Sequence, residues 1–164
     1  MKLIPLPFET RATTGYTHKA IVTFADLVAY SGGSTTSVVP LLNARVGDVV
    51  EAAAFALVTA FDFSDTGIDS CTMAVGDDGS TGRFIDAQQL AVDGTEITYY
   101  AGNAVATPLM PYAYKVANAI DALFTVATGG SPLTSEATVG EVHIYLRVNA
   151  NLAELNTIVQ PSAT

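Results

Sequence analysis

Two histidines, a single cysteine and a set of loop aspartates are the residues of this chain whose chemistry could do work. His18 and His143 come first, because catalysis uses imidazole most often as acid or base. Both are expected on the outer faces of strands. Ser and Asp stand near neither in a catalytic order, and no Gly-x-Ser-x-Gly elbow or His-Glu-x-x-His pair is present. They read as surface or interface residues. Cys71 alternates with Met73 and Val75, and no neighbouring base or cation would lower its pKa. It reads as a small buried hydrophobe. A lone cysteine also excludes an internal disulfide framework and a cysteine-built zinc site.

Asp62, Asp65 and Asp69 crowd one turn, and Asp77 and Asp78 another. Calcium takes about six to eight oxygens, which loop aspartates supply in part. Neither stretch has EF-hand spacing or a terminal bidentate Glu, and Asp populates turns by bonding its own backbone. Turn chemistry is the reading, with no metal and no cofactor. The run Gly76-x-x-Gly79-x-x-Gly82 lacks a following Lys-Ser/Thr and is no phosphate loop.

The tyrosines are the remaining option. Between Tyr99 and Ile120 the only charge is Lys115. Interfaces favour Tyr and Met and deplete charge at their centre. Tyr99, Tyr100, Leu109, Met110, Pro111 and Tyr112 are therefore expected to form a subunit interface. The alternative is an aromatic platform for sugars, making the chain a carbohydrate-binding module.

The whole chain bounds these options. Its 164 residues fit one domain. Hydrophobic residues at 49% and charged residues at 14% exclude intrinsic disorder. Sixteen acidic against seven basic residues, a net charge of -9, argue against a nucleic-acid partner. Pro5 and Pro7 interrupt any signal-peptide core, and the aliphatic run from Ala52 to Phe61 is about half a membrane span. A soluble product made in a cytoplasm, with no membrane partner, is expected.

The elements that must position these residues follow a period of two. From Val142 to Val148 every even position is aliphatic and every odd one polar or amphipathic. Ile68 to Val75 and Ile120 to Val126 alternate as well. Lys19 to Phe24 and Ile97 to Tyr100 are shorter strand candidates, and Val49 to Phe61 is ambiguous between helix and buried strand. Turn signals at Ser31-Gly32-Gly33-Ser34, Asp65-Thr66-Gly67, Asp77 to Gly82, Asp93-Gly94 and Gly129 to Pro132 punctuate these runs. Such spacing points to an all-β sandwich or barrel. Helix is expected only at Asp86-Ala87-Gln88-Gln89 and Asn151-Leu152-Ala153-Glu154, both with capping-box spacing. The ends read as appendages: an extended apolar arm over residues 1–15 and an amphipathic tail over 149–164. Pro5 and Pro7 each remove a ladder donor, so the arm is expected to stay off the sheet. Its residues Ile4, Pro5, Leu6, Pro7 and Phe8 are then expected to dock on another chain.

Several short motifs resemble small structural proteins of tailed bacteriophages. Val58-Thr59-Ala60-Phe61-Asp62 is similar to their strand ending "TAFD", Val75-Gly76-Asp77 to one ending "VGD", and Arg83-Phe84-Ile85-Asp86 to an "RFLD"-type turn. Thr125 to Gly130 supplies the strand and "TGG" loop, and Gly140-Glu141-Val142-His143-Ile144-Tyr145 the final strand. An upstream Thr17-His18-Lys19 strand ending Ala25-Asp26-Leu27 is similar to their beginning. The resemblance spans residues 17–148. It implies a head-decoration (cement) or head-fibre protein, a virion role with no catalytic residues to carry over.

The expectation is one all-β domain over residues 16–148, an antiparallel β-sandwich of jelly-roll type. It would decorate the outside of a phage head, bound to the major capsid protein and to itself as a homo-oligomer, a trimer. No catalysis is expected. The alternative is the carbohydrate-binding module on a head fibre or tail tip.

Overall fold

The computed structural model describes residues 2–64, 68–92, 110–128 and 134–149. They form two antiparallel sheets packed face to face. Strands β1 (Lys2–Pro5), β2 (His18–Thr23), β4 (Val49–Phe63), β7 (Tyr112–Ala113) and β9 (Ala137–Asn149) make a five-stranded sheet in the order β1-β2-β9-β4-β7. Strands β3 (Thr36–Ala44), β5 (Ile68–Asp77), β6 (Ser80–Val92) and β8 (Asn118–Thr128) make a four-stranded one in the order β3-β8-β5-β6. The expected all-β sandwich is the observed architecture.

Alternation places the core. Val142, Ile144, Leu146 and Val148 of β9, Ile120, Ala122, Phe124 and Val126 of β8, and Cys71, Met73 and Val75 of β5 are all buried. Removing a side chain such as Phe124 from water contributes about 2–3 kcal/mol. Its ring lies 5.8 Å from that of Phe61, joining the two sheets. The ambiguous segment at residue 49 is strand, because β4 pairs with β9 from Val49 to Phe63. Long-range pairing outweighs the helical preference of its alanines.

Four local expectations are corrected. Residues 1–15 are not an arm lying off the sheet: β1 pairs with β2, Lys2 opposite Ile21 and Pro5 opposite His18. The Leu6 amide donates to the Thr17 carbonyl at 2.9 Å, and its side chain is 8% exposed. Amides alternate in direction along a strand, so with Leu6 donating inward the Pro5 and Pro7 nitrogens face the open side. No ladder donor is lost there. Helix α1 (Phe8–Thr14) follows, ending at Gly15 with φ of 77° and its amide on the Arg11 carbonyl.

Helix is also absent from Asp86 to Gln89, which belongs to β6; there Thr72 pairs with Gln89 and Met73 with Gln88. Asp86 Oδ1 accepts from the Ala87 amide at 2.8 Å, a contact within the strand and not a cap. Ala25-Asp26-Leu27, read as a strand end, lies in α2 (Phe24–Tyr30). Thr23 caps it, its amide and hydroxyl both donating to Asp26 Oδ2, at 2.9 and 3.0 Å. Finally, His18 pairs with Leu146, on the inward side of the sheet together with Ala20 and Val22. Ile97 to Tyr100 and Asn151 to Glu154 lie outside the described residues.

Candidate docking surface

Three of the edge strands, β1, β3 and β6, carry features that oppose strand addition. Edge strand β1 ends in Pro5, followed by Pro7. Edge strand β3 carries Pro40 with a register shift before Leu42. Edge strand β6 is irregular at three points against β5. Prolines and bulges are how sheets keep foreign strands off their edges.

The outer face of the five-stranded sheet presents an aromatic and apolar surface around Tyr145. Ile4, Lys19, Tyr145 and Ala54 form one row across four strands, and Ile21, His143 and Ala56 share the next. Tyr145 sits at the centre. The Tyr16 ring lies 5.8 Å from it, the Lys19 ammonium 5.8 Å and the His143 ring 6.5 Å. The charged groups around it are tied to one another. His143 Nε2 and Glu141 Oε1 are 2.5 Å apart. Arg147 donates to the Gly15 carbonyl at 2.8 Å and lies 3.5 Å from Glu51. Charges held in internal pairs leave Tyr145 and the aliphatic groups as the contact-making part of this face.

The expected docking residues meet different fates. Ile4 is half-buried at the rim of this face, Pro5 and Pro7 are exposed, and Leu6 is buried inside. Of Phe8 only the backbone, the first residue of α1, is described. In the expected interface, Tyr99, Tyr100 and Leu109 lie outside the described residues. Met110 is partly buried against the core and Pro111 is exposed. Tyr112 is half-buried, with Phe84 6.2 Å and Tyr114 5.1 Å away and the Arg83 guanidinium 4.1 Å over its ring. Tyr114 is buried and points inward. Its hydroxyl donates to Asp77 Oδ2 at 3.0 Å. Burial and then the adjacent Asp77 carboxylate push its phenol well above the ordinary value.

Asp77 is the centre of a saturated polar knot. Oδ1 accepts from the Gly79 and Ser80 amides at 2.9 and 3.1 Å, the backbone bonding expected of a turn aspartate. Oδ2 accepts from Arg83 Nε at 2.7 Å as well as from Tyr114. With four donors on it, this carboxylate has no spare capacity for chemistry.

The other reactive types are equally occupied. Burial pushes the Cys71 thiol up to about 12, the opposite of an activated nucleophile. His18 Nδ1 is 2.9 Å from the Thr17 hydroxyl, and burial, with Arg11 nearby, lowers its pKa.

No protein-family model matches the chain, and no curated protein matches it. A solved structure described as "Cyanophage Pam1 capsid asymmetric unit" is similar to it at 19% identity, over 79% of this chain and 79% of the other, with a TM-score of 0.48.

The motifs singled out in the sequence meet in space. Asp77 of the "VGD" motif binds Arg83 of the "RFID" motif. Phe61 of "TAFD" lies against Gly140 of "GEV", where an added Cβ would stand 2.4 Å from the ring. Sequence reasoning missed Tyr16, Lys19 and Tyr145 as one surface. Alternation along β9 signalled that Tyr145 faces outward, but not what adjoins it.

Proposed function

We propose that this protein is a non-catalytic structural component of a phage virion, bound to the outside of the head and reinforcing it. Ile4 and the face around Tyr145 meet the major capsid protein, while the segment holding Tyr99, Tyr100, Leu109, Met110, Pro111 and Tyr112 joins copies into a homo-oligomer, a trimer. The observation that carries the reading is the mutual packing of the motifs behind the phage resemblance, Asp77 with Arg83 and Phe61 with Gly140. Those motifs build a scaffold, and His18, His143, Cys71 and Asp77 are each buried or held in internal contacts. Area buried across capsid subunits would stabilise the shell by mass action.

Adding purified protein to heads assembled without it tests this. Binding at saturable occupancy, with heads that then survive greater heat, is the expected result. Ile4→Asp and Tyr145→Ala should lower occupancy. Failure of the wild type to bind heads overturns the proposal, and binding on a glycan array would favour the carbohydrate-binding alternative.

A further inference from the structure

The turn between β7 and β8 is a bare knob. Lys115, Val116 and Ala117 are all exposed, and Val116, at 73%, is the most exposed large hydrophobic among the described residues. Lys115 has no ion-pair or hydrogen-bond partner among them. Other cations are engaged: Arg11 on the Leu6 carbonyl, Lys19 over Tyr145, Arg83 on Asp77, and Arg147 on Gly15 and Glu51. An unpaired cation beside an unburied valine is a surface without its complement.

The complement lies on the outer face of the four-stranded sheet. There Val38, Leu123 and Ala74 form a row, with Pro40, Asp121 and Gly76 beside them. A cavity of about 210 Å³ opens there, lined by Val38 and Leu123 and by the carboxylates of Asp78 and Asp121. That is below the roughly 300–1,000 Å³ typical of small-molecule sites and suits one long side chain. Asp77, also on the lining, is already saturated. Neither Asp78 nor Asp121 accepts a hydrogen bond or ion pair on its side chain from a described residue. Burial, then the neighbouring Asp78 and Asp77, raises the Asp121 carboxyl above its ordinary range, so a cation arriving there relieves repulsion.

We propose that the Lys115–Val116 knob of one copy of this chain seats in the Val38, Leu123, Asp78, Asp121 notch of a second copy. The ammonium meets the two carboxylates while Val116 covers the two aliphatic walls. Knob and notch are different patches of one chain, so the contact is heterologous, and where the rotation between copies closes it generates a ring. Both lie toward the same end of β8, as adjoining patches around the axis of a small ring would. The knob also continues the Met110–Tyr112 segment, so the inference rests on the self-association part of the proposed function.

Sedimentation equilibrium of the full chain and of two variants, Lys115→Glu and Asp78→Lys, tests the contact. Each variant alone should associate about tenfold or more weakly, because like charges then face one another. Mixing the two should restore association in part, since two of the three contacts of a mixed trimer then pair opposite charges. A monomeric wild type overturns both the contact and the self-association reading beneath it. Variants that remain oligomeric overturn the contact and leave the Met110–Tyr112 interface standing, and monomeric variants that mixing does not rescue overturn the contact. Should either variant lose its circular-dichroism signature, Val116→Ser and Asp121→Asn take their places in the same mixing test.

Discussion

Gly140 of β9 lies directly against the ring of Phe61 in β4, with φ of 143° and room for no side chain. Any Cβ there would meet three ring carbons within 2.8 Å. Gly140→Ala should therefore cost about 2–4 kcal/mol, part backbone strain and part overpacking. A thermal melt reads the loss. In a Phe61→Leu background the same substitution should cost less, since the clash is with the ring; an undiminished cost would place the whole penalty in the backbone.

The Asp77 knot makes a second prediction. Its carboxylate is 1% exposed and the Arg83 side chain 13%. Asp77→Ala leaves that guanidinium nearly buried with no carboxylate, at about 3–5 kcal/mol. Tyr114→Phe removes one of four donors and should cost only about 1–2 kcal/mol. Urea midpoints at constant slope measure both, and equal costs would refute the assignment of Arg83 as the principal partner.

His18 gives a pH dependence. Its folded pKa is lowered, by burial first and by Arg11 second, so the folded state disfavours the imidazolium. The unfolded chain binds the extra proton below about 6.5. Stability from this group is complete above that pH and is lost as pH falls through the unfolded value towards the lowered folded one. His18→Gln should flatten the stability profile between neutrality and mild acid. A variant profile parallel to the wild type would move the dependence to other groups.

Cys71 should be inert. It is fully buried and its thiol is pushed up to about 12, so a thiol reagent at neutral pH should label unfolded protein and leave native protein unmodified. Labelling at the rate of a free thiol would show that β5 opens readily.

Strands whose two faces differ most are legible in the order of residues alone. In β9 and β8 the contrast between core and solvent recurs at every second residue, and that periodicity is a local property of the chain. Cys71 as a core residue and Asp77 as a turn residue were legible for the same reason. The Thr23-x-x-Asp26 spacing fits the start of α2, where the resemblance put a strand end at Ala25-Asp26-Leu27. Asp86-x-x-Gln89 has similar capping-box spacing and is strand, because pairing with β5 outweighs a local cap.

The fate of the first strand and the identity of the surfaces depend on how whole strands pack. A proline removes a donor whether or not the donor was needed. Whether it was needed depends on which side of the strand faces a neighbour, and Pro5 gains its tolerance from the position of β1 at an edge. Tyr114 resembles an interface residue by type and neighbourhood, but the carboxylate it binds stands 37 positions earlier in the chain. The row of Ile4, Lys19, Tyr145 and Ala54 joins residues from four strands scattered along the chain. Periodicity says which way a side chain points; sheet order, set by the packing of whole strands, says what it points beside.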